Sequence, residues 1–381
     1  MLYRKLGKTH ELVSVLGFGC MRLPILPGGD PTKIDEKLAI ELVHHAIDEG
    51  VNYIDTAYPY HGTGMASAGQ SEPFVAKALK NGYREKVKLA TKLPSWLIKT
   101  RADMDKYLNE QLARLETDTI DFYLVHAINK EFWSSLKEAG IAEFLDQAIK
   151  DGRIKYAGFS FHDKLDLFKE VVDYYDWSFC QIQYNYLDEK FQAGTEGLEY
   201  AAQKGLGIVI MEPLRGGKLA ANLPEDVQNA FDQADVKRTP AAWALRWVWN
   251  HPNVSVVLSG MNAMDQVIEN LNSANEAQPN SLTASEEGII HQVKTIFKEK
   301  IKVDCTACGY CMPCPEGVNI PTCFSMYNNH HMFGKEEAYH IWLAPQQQAS
   351  NCVECGLCET HCPQGISIRE ELKNVKAVFG N

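Results

Sequence analysis

Cysteine is nearly missing from the first 300 residues: only Cys20 and Cys180 occur there, and the other nine lie between Cys305 and Cys362. That distribution is not a disulfide framework. In a reducing cytosol a local cysteine cluster points to metal instead. Positive charge is in deficit, with 38 Lys and Arg against 49 Asp and Glu and a formal charge of −11. Nucleic-acid binding needs clustered cations that neutralise phosphate, so no nucleic-acid partner is expected. No apolar run approaches the roughly eighteen residues of a membrane span, so no membrane partner is expected. The opening stretch MLYRKLGKTHELVSVLG has no apolar segment like that of a secretory signal, and a cytoplasmic location is expected. Finally, no G-x-G-x-x-G joins a strand to a helix, which counts against a doubly wound dinucleotide-binding sheet.

What is present is alternation. Strand-like runs cover 13–19, 52–57, 86–92, 121–127, 151–160, 179–185, 205–211 and 254–260. Amphipathic helical patterns follow them at 35–50, 71–80, 100–115, 135–149, 163–174, 195–204, 239–250 and 265–273. Eight strand–helix units in residues 1–275 predict an α/β fold, a (β/α)8 barrel. The polar stretch NSANEAQPNSLTASEE reads as a linker, and Thr283 and Glu286 have capping-box spacing for the helix after it. That helix carries Ile289, Ile290, Val293, Ile296 and Phe297 on one stripe, expected to pack on the barrel. Residues 276–300 are thus a linker and connecting helix, and 301–381 a separate cysteine domain.

In such barrels reactive residues gather at the C-terminal ends of the strands. Here those ends carry Asp55, with Tyr58 and Tyr60 just beyond, then Lys92 and His126. The set is chemically coherent. A carbonyl that accepts a hydride leaves an alkoxide that needs a proton. A phenol is protonated at neutral pH, and a nearby ammonium eases its ionisation. An aspartate holds the ammonium in place, and a histidine can hydrogen-bond the carbonyl oxygen.

The stretches IDTAYPYHG, ATKLP and YLVHA, with LGFGCMRLP, QIQYN, MEPLRGG and VLSGMNAMDQVIENL, resemble the aldo/keto reductase family in order over residues 1–275. The resemblance implies a catalytic tetrad of Asp55, Tyr60, Lys92 and His126, its spacing selecting Tyr60 over Tyr58. It also implies NADP or NAD lying across the strand ends. Gly19, Met21, Arg22 and Asp55 would lie near the nicotinamide with Ser160, Gln183 and Tyr184, the last stacking on its ring or packing in the core. Met211, Pro213, Leu214, Gly217 and Lys218 would follow the pyrophosphate. Gly260, Asn262, Gln266, Glu269 and Asn270 would surround the adenosine.

Two departures stand out. NADPH-preferring members usually place Lys or Arg after the eighth strand, whereas 255–270 holds neither and contains Asp265 and Glu269. Either NADH is preferred, or Lys237 and Arg238 compensate from another loop. The stretch HGTGMASAGQSE, directly beyond Tyr60, is longer and richer in Gly and Ser than the family's turn, and reads as a substrate flap or a surface insertion.

The tail holds Cys305-x2-Cys308-x2-Cys311-x2-Cys314-Pro and Cys352-x2-Cys355-x2-Cys358-x3-Cys362-Pro. Four thiolates at such spacing suit a [4Fe–4S] cluster better than zinc, and two runs imply two clusters in a small, mainly helical ferredoxin-like domain. In two-cluster ferredoxins the last cysteine of each run ligates the other cluster. Crossed ligation groups Cys305, Cys308, Cys311 and Cys362, and separately Cys352, Cys355, Cys358 and Cys314. The first run is one residue short before Cys314. Cys323 reads as a spare, buried thiol.

Three functions are compatible with this combination. One is a nicotinamide-dependent reductase of a small carbonyl, or the reverse alcohol oxidation, with a structural or sensory tail. Another is an electron-transfer enzyme linking the barrel to a ferredoxin-like or flavoprotein partner. The third is a redox-sensing binding module, against which the intact tetrad argues. The oligomeric state is not legible.

Overall fold

The computed structural model describes residues 1–334 and 339–380. The chain opens with an antiparallel pair, β1 (Tyr3–Lys5) and β2 (Leu12–Ser14). The barrel strands follow: β3 (Leu16–Gly19), β4 (Tyr53–Asp55), β5 (Lys88–Leu93), β6 (Ile120–Ile128), β7 (Ile154–Phe161), β8 (Phe179–Gln183), β9 (Gly207–Met211) and β10 (Val254–Ser259). Each pairs in parallel with the next, and β10 closes back on β3. The (β/α)8 barrel is therefore formed.

The strand expected over 13–19 is two elements. β2 turns back to pair with β1, while β3 enters the barrel. The reason is burial. Leu6 and Val13 are fully buried in the cluster that fills the barrel, with Tyr53, Ala90, Phe122, Leu124, Phe179, Val209 and Val256. The hairpin thus closes one end of the barrel with apolar side chains. Along β8, Phe179 joins this inner cluster, whereas Cys180 and Ile182 belong to the core between strands and helices. That is the period of two that a strand imposes.

The helices start where capping chemistry allows. The Asp35 and Thr239 side chains accept the N–H of Leu38 and of Ala242 at the starts of Glu36–Asp48 and Pro240–Asn250. The helix expected over 135–149 is two, Lys130–Glu138 and Ile141–Lys150, because Gly140 between them takes a φ of 77°.

The chain forms two compact units, Met1–Ala220 with Arg238–Leu282, and Ala221–Lys237 with Thr283–Asn381. The division expected near residue 275 is thus shifted, and the second unit gains a segment from inside the barrel sequence. The helix Ala284–Glu299 begins at the Thr283–Glu286 capping box and buries Ile290, Val293 and Phe297. It packs with the helix Glu225–Asp232, and Lys300 pairs with Asp226 at 2.7 Å. The stripe expected against the barrel therefore serves the second unit, because Glu225–Asp232 presents Val227, Ala230 and Phe231 as buried partners. The helices Ile320–Phe333, Tyr339–Trp342, Leu357–Thr360 and Ile368–Phe379 complete this unit around Val318, Phe324, Leu343, Leu372 and Val375. Residues 335–338, at the start of the stretch KEEAYHIWLA, lie outside the described residues.

Candidate active site

β4, β5 and β6 end side by side, and parallel register brings their polar ends to one rim of the barrel. Lys92 on β5 is fully buried and Asp55 on β4 is 3% exposed. The Lys92 ammonium donates to both Asp55 oxygens, at 2.7 and 2.8 Å, and to the Thr56 carbonyl at 2.8 Å. Nζ also lies 4.9 Å from the centre of the Tyr60 ring. His126 on β6 sits edge-on to Tyr60, ring centres 6.1 Å apart. The four residues singled out in the sequence are thus one constellation.

Its electrostatics follow from burial. Burial works against the Lys92 ammonium, but Asp55 and Tyr60 outweigh it and hold Lys92 above its ordinary value. Burial pushes the Asp55 carboxyl up, with Lys92 opposing. Burial, then Lys92 and His162, drive His126 well below the ordinary histidine value, so the imidazole is neutral. Tyr60 differs from the sequence expectation. Burial raises its phenol, and Lys92 only partly offsets this. The phenol is therefore a protonated donor at neutral pH, and the ammonium limits the rise without reversing it.

The insertion after Tyr60 is folded, not splayed. Its ends are tied by Gly69 N–H to the Tyr58 carbonyl at 2.8 Å and Gln70 N–H to the His61 carbonyl at 3.1 Å. His61 Nε2 accepts the Leu23 N–H at 3.1 Å, so its Nδ1–H donates to the Pro31 carbonyl at 2.8 Å. Trp96 Nε1 donates to the Met65 carbonyl at 2.7 Å, and the Trp96 ring lies 5.1 Å from that of His126. Trp96 was not anticipated. Its signal was its place, four residues beyond Lys92.

The residues expected around a cofactor are divided. Gly19 lies against Ser259 and Gly260, and the Arg22 chain packs on Gly260 and reaches Gly216. These residues, with the exposed Gly217, line the ends of β3, β9 and β10, and Pro213 and Leu214 follow β9. Lys218 caps the turn Arg215–Gly217, and Met21 is 57% exposed. Gln266 accepts the Asn262 N–H at 3.0 Å, and Asn270 donates to Ser259 at 2.9 Å. Glu269 accepts the Thr239 hydroxyl. Ser160 accepts the N–H of Ala127, bracing the strand end beside His126. Gln183 donates to Asp188 at 3.0 Å, an unforeseen carboxylate that also pairs with Arg215. The Met211 sulfur takes a hydrogen bond from Gln181 at 3.5 Å. Tyr184 departs from ring stacking on a cofactor. Strand alternation turns it outward, its hydroxyl meets Thr195 at 2.9 Å, and its ring packs 5.0 Å from Trp247. Lys237 donates to the carbonyls of Asp232 and Ala234, and the Arg238 guanidinium lies 4.9 Å over Trp243.

In the tail, no three of the described His, Cys, Asp or Glu side chains are gathered tightly enough to hold a single metal ion. A four-iron cluster spans more space than one ion. Two cavities have cysteine linings. One is lined by Cys305, Cys308, Cys311 and Cys362, with Ile320, Phe324 and Ile368. The other is lined by Cys314, Cys352, Cys355 and Cys358, with Cys311 at their border. Each cavity takes three cysteines of one run with the last of the other, and Cys311 lines both, so the donor sets suit cluster ligation. Cys323 is fully buried, near the Tyr339 hydroxyl and the Gln347 carbonyl, and lines neither cavity.

Family models match both parts. A family model described as the aldo/keto reductase family matches residues 15–287, and one described as a 4Fe-4S dicluster domain matches 304–366. A 6-dehydroglucose reductase of Novosphingobium aromaticivorans is 30% identical over 281 residues, covering 70% of this chain and 88% of that protein. A probable aldo-keto reductase of Glycine max is 26% identical over 301 residues, covering 70% and 82%. Among solved structures, the holo form of the aldo-keto reductase AKR11C1 from Bacillus halodurans superposes with a TM-score of 0.63 at 28% identity, covering 77% of this chain and 96% of that one.

Proposed function

The chain belongs to the aldo/keto reductase family and carries a C-terminal 4Fe-4S dicluster domain, and from that premise we propose that it reduces the carbonyl of a small aldehyde, ketone or sugar, or runs the reverse oxidation. Residues at the ends of β3, β9 and β10, among them Gly19, Arg22 and Gly260, would hold a nicotinamide, which would supply the hydride. The observation that carries the reading is the fully buried Lys92 ammonium, clamped by both Asp55 oxygens and facing Tyr60.

Each residue has a definable task. Tyr60 gives its phenolic proton to the carbonyl oxygen as negative charge develops there. Lys92 stabilises the phenolate left behind, and Asp55 keeps Lys92 charged and aimed. Neutral His126 offers one N–H to the same carbonyl oxygen and orients it. Trp96 packs beside His126 and ties the Met65 carbonyl to that side of the site.

NADH is the better match of the two nicotinamides. The family resemblance puts a 2′-phosphate after the eighth strand, where this chain has Asp265 and Glu269, and Lys237 is bonded to backbone carbonyls while Arg238 lies over Trp243.

The test is Tyr60→Phe. Carbonyl reduction should fall by about 100-fold or more, the range general acid catalysis contributes, with nicotinamide binding unchanged. Wild-type turnover in that variant would sink the assignment.

A second reading has its own support. Cys355 is the exposed cysteine of the tail and lies in the Cys314–Cys352–Cys358 cavity, where a one-electron partner could reach a cluster. Anaerobic addition of NADH or NADPH without substrate, followed by EPR, separates the two. A reduced-cluster signal favours electron transfer between barrel and tail. Silent clusters in a chain that still oxidises NAD(P)H when offered a carbonyl leave the tail structural or sensory.

A further inference from the structure

Beneath the turn that carries Tyr60 lies a buried carboxylate to which the reaction assigns no task. Glu72, in the first turn of the helix Ser71–Ala78, is fully buried. Its Oε1 accepts from Gln111 Nε2 and from the Thr91 hydroxyl, both at 2.7 Å. Its Oε2 accepts from Arg114 Nε at 2.9 Å. These partners reach the Lys92 backbone directly and the turn that carries Tyr60 by way of Gly69. Gln111 Nε2 donates to the Lys92 carbonyl at 3.0 Å, and its Oε1 is fixed by the Tyr123 hydroxyl at 2.8 Å. Arg114 donates to the Gly69 carbonyl, and Gly69 N–H holds the Tyr58 carbonyl. One residue before Glu72, Ser71 N–H donates to the Tyr60 carbonyl at 3.1 Å, and its hydroxyl donates to the Cys20 carbonyl at 3.0 Å.

We propose that Glu72, acting through Arg114 and Gln111, is a positioning residue that fixes the separation between the Tyr60 phenol and the Lys92 ammonium. The proposal rests on the carbonyl-reduction reading above. Burying a charged network is an inefficient route to stability, since packed apolar residues of equal volume often do as well or better. What this network supplies is direction. It ties the turn carrying Tyr60 and the strand carrying Lys92 to one pair of oxygens. Neither element alone fixes their distance, because Tyr60 lies on a loop and Lys92 on a strand separated from it by the helix.

The experiment compares Glu72→Gln, Arg114→Met and Arg114→Lys in the full chain with its clusters intact. Displacing the phenol by about 1 Å should cost on the order of 100-fold in kcat. Glu72→Gln and Arg114→Met should show that kcat loss, with the KM for the nicotinamide within about threefold, because none of the hydrogen bonds of Glu72, Arg114 and Gln111 reaches Gly19, Arg22 or Gly260. Arg114→Lys keeps a cation beside Glu72 and should recover part of kcat. A folded Glu72→Gln chain with wild-type kcat overturns the proposal. So does a loss of kcat matched by an equal loss of nicotinamide affinity and no recovery in Arg114→Lys. If Glu72→Gln does not fold, the two Arg114 variants carry the same comparison. Tyr60→Phe keeps the two levels apart. An inactive Tyr60→Phe beside a fully active Glu72→Gln removes only the positioning role. An active Tyr60→Phe removes both.

Discussion

Gly69 lies so close to Tyr60 that a Cβ at position 69 would fall 1.9 Å from the Tyr60 carbonyl oxygen. The return of the inserted loop therefore passes directly over the backbone of the proton donor. Only a residue without a side chain fits.

Gly69→Ala is expected to push the Tyr60 turn aside. The forced shift should destabilise the chain by about 1–3 kcal/mol, the usual cost of overpacking, and lower kcat in the same variant. Thermal unfolding with steady-state kinetics checks this, and an alanine variant with unchanged Tm and kcat would contradict it.

His126 makes a pH prediction. Its folded value lies well below the ordinary one, chiefly through burial, so the unfolded chain takes up a proton first as pH falls. The stability this histidine contributes is full above about pH 6.5 and is lost progressively below it, by up to about 1.4 kcal/mol per pH unit. Comparing Tm against pH for the wild type and His126→Gln isolates the effect. The variant should have the shallower acid slope, and parallel curves would show that His126 is not the source.

The nicotinamide preference can be read without turnover. Like-charge repulsion at Asp265 and Glu269 should make NADPH bind about tenfold more weakly than NADH, and Glu269→Gln should narrow the gap. Fluorescence titration of both nucleotides measures it. Tighter NADPH binding would mean that another cation serves the 2′-phosphate.

The tail makes a count. Cys355→Ser should reduce the iron and sulfide per chain from two [4Fe–4S] clusters toward one, whereas Cys323→Ser should leave both, since Cys323 lines neither cavity. Chelating the iron should also reduce the helical signal, the outcome expected where clusters help to hold so small a unit. Iron analysis and far-UV circular dichroism decide both points. Full iron in Cys355→Ser would break the ligand assignment.

The sequence carried the barrel because eight strand–helix alternations and their caps are local patterns. It carried Asp55, Lys92 and His126 because each falls near a strand end, where a barrel collects chemistry, and Tyr60 because the family spacing picks it from the loop after β4. It misplaced the helix Ala284–Glu299, since an apolar stripe states that burial occurs but not against which partner. It left Tyr184 between two roles, and the outward phase of β8 with the Thr195 and Trp247 contacts places it in packing.

By itself, then, the sequence determined the element order, the identity of the reactive side chains and the two cysteine runs, all of which are local in the chain. Only the tertiary structure decided what depends on distance across it. It assigned the last cysteine of each run to the other run's cavity. It set burial above Lys92 in governing the Tyr60 phenol. It placed Glu72 beneath both Tyr60 and Lys92. The reason is common to all three. Burial and hydrogen-bond partners are properties of three-dimensional neighbours, and residues separated by 19 to 57 positions become neighbours only when the barrel closes or the second unit packs.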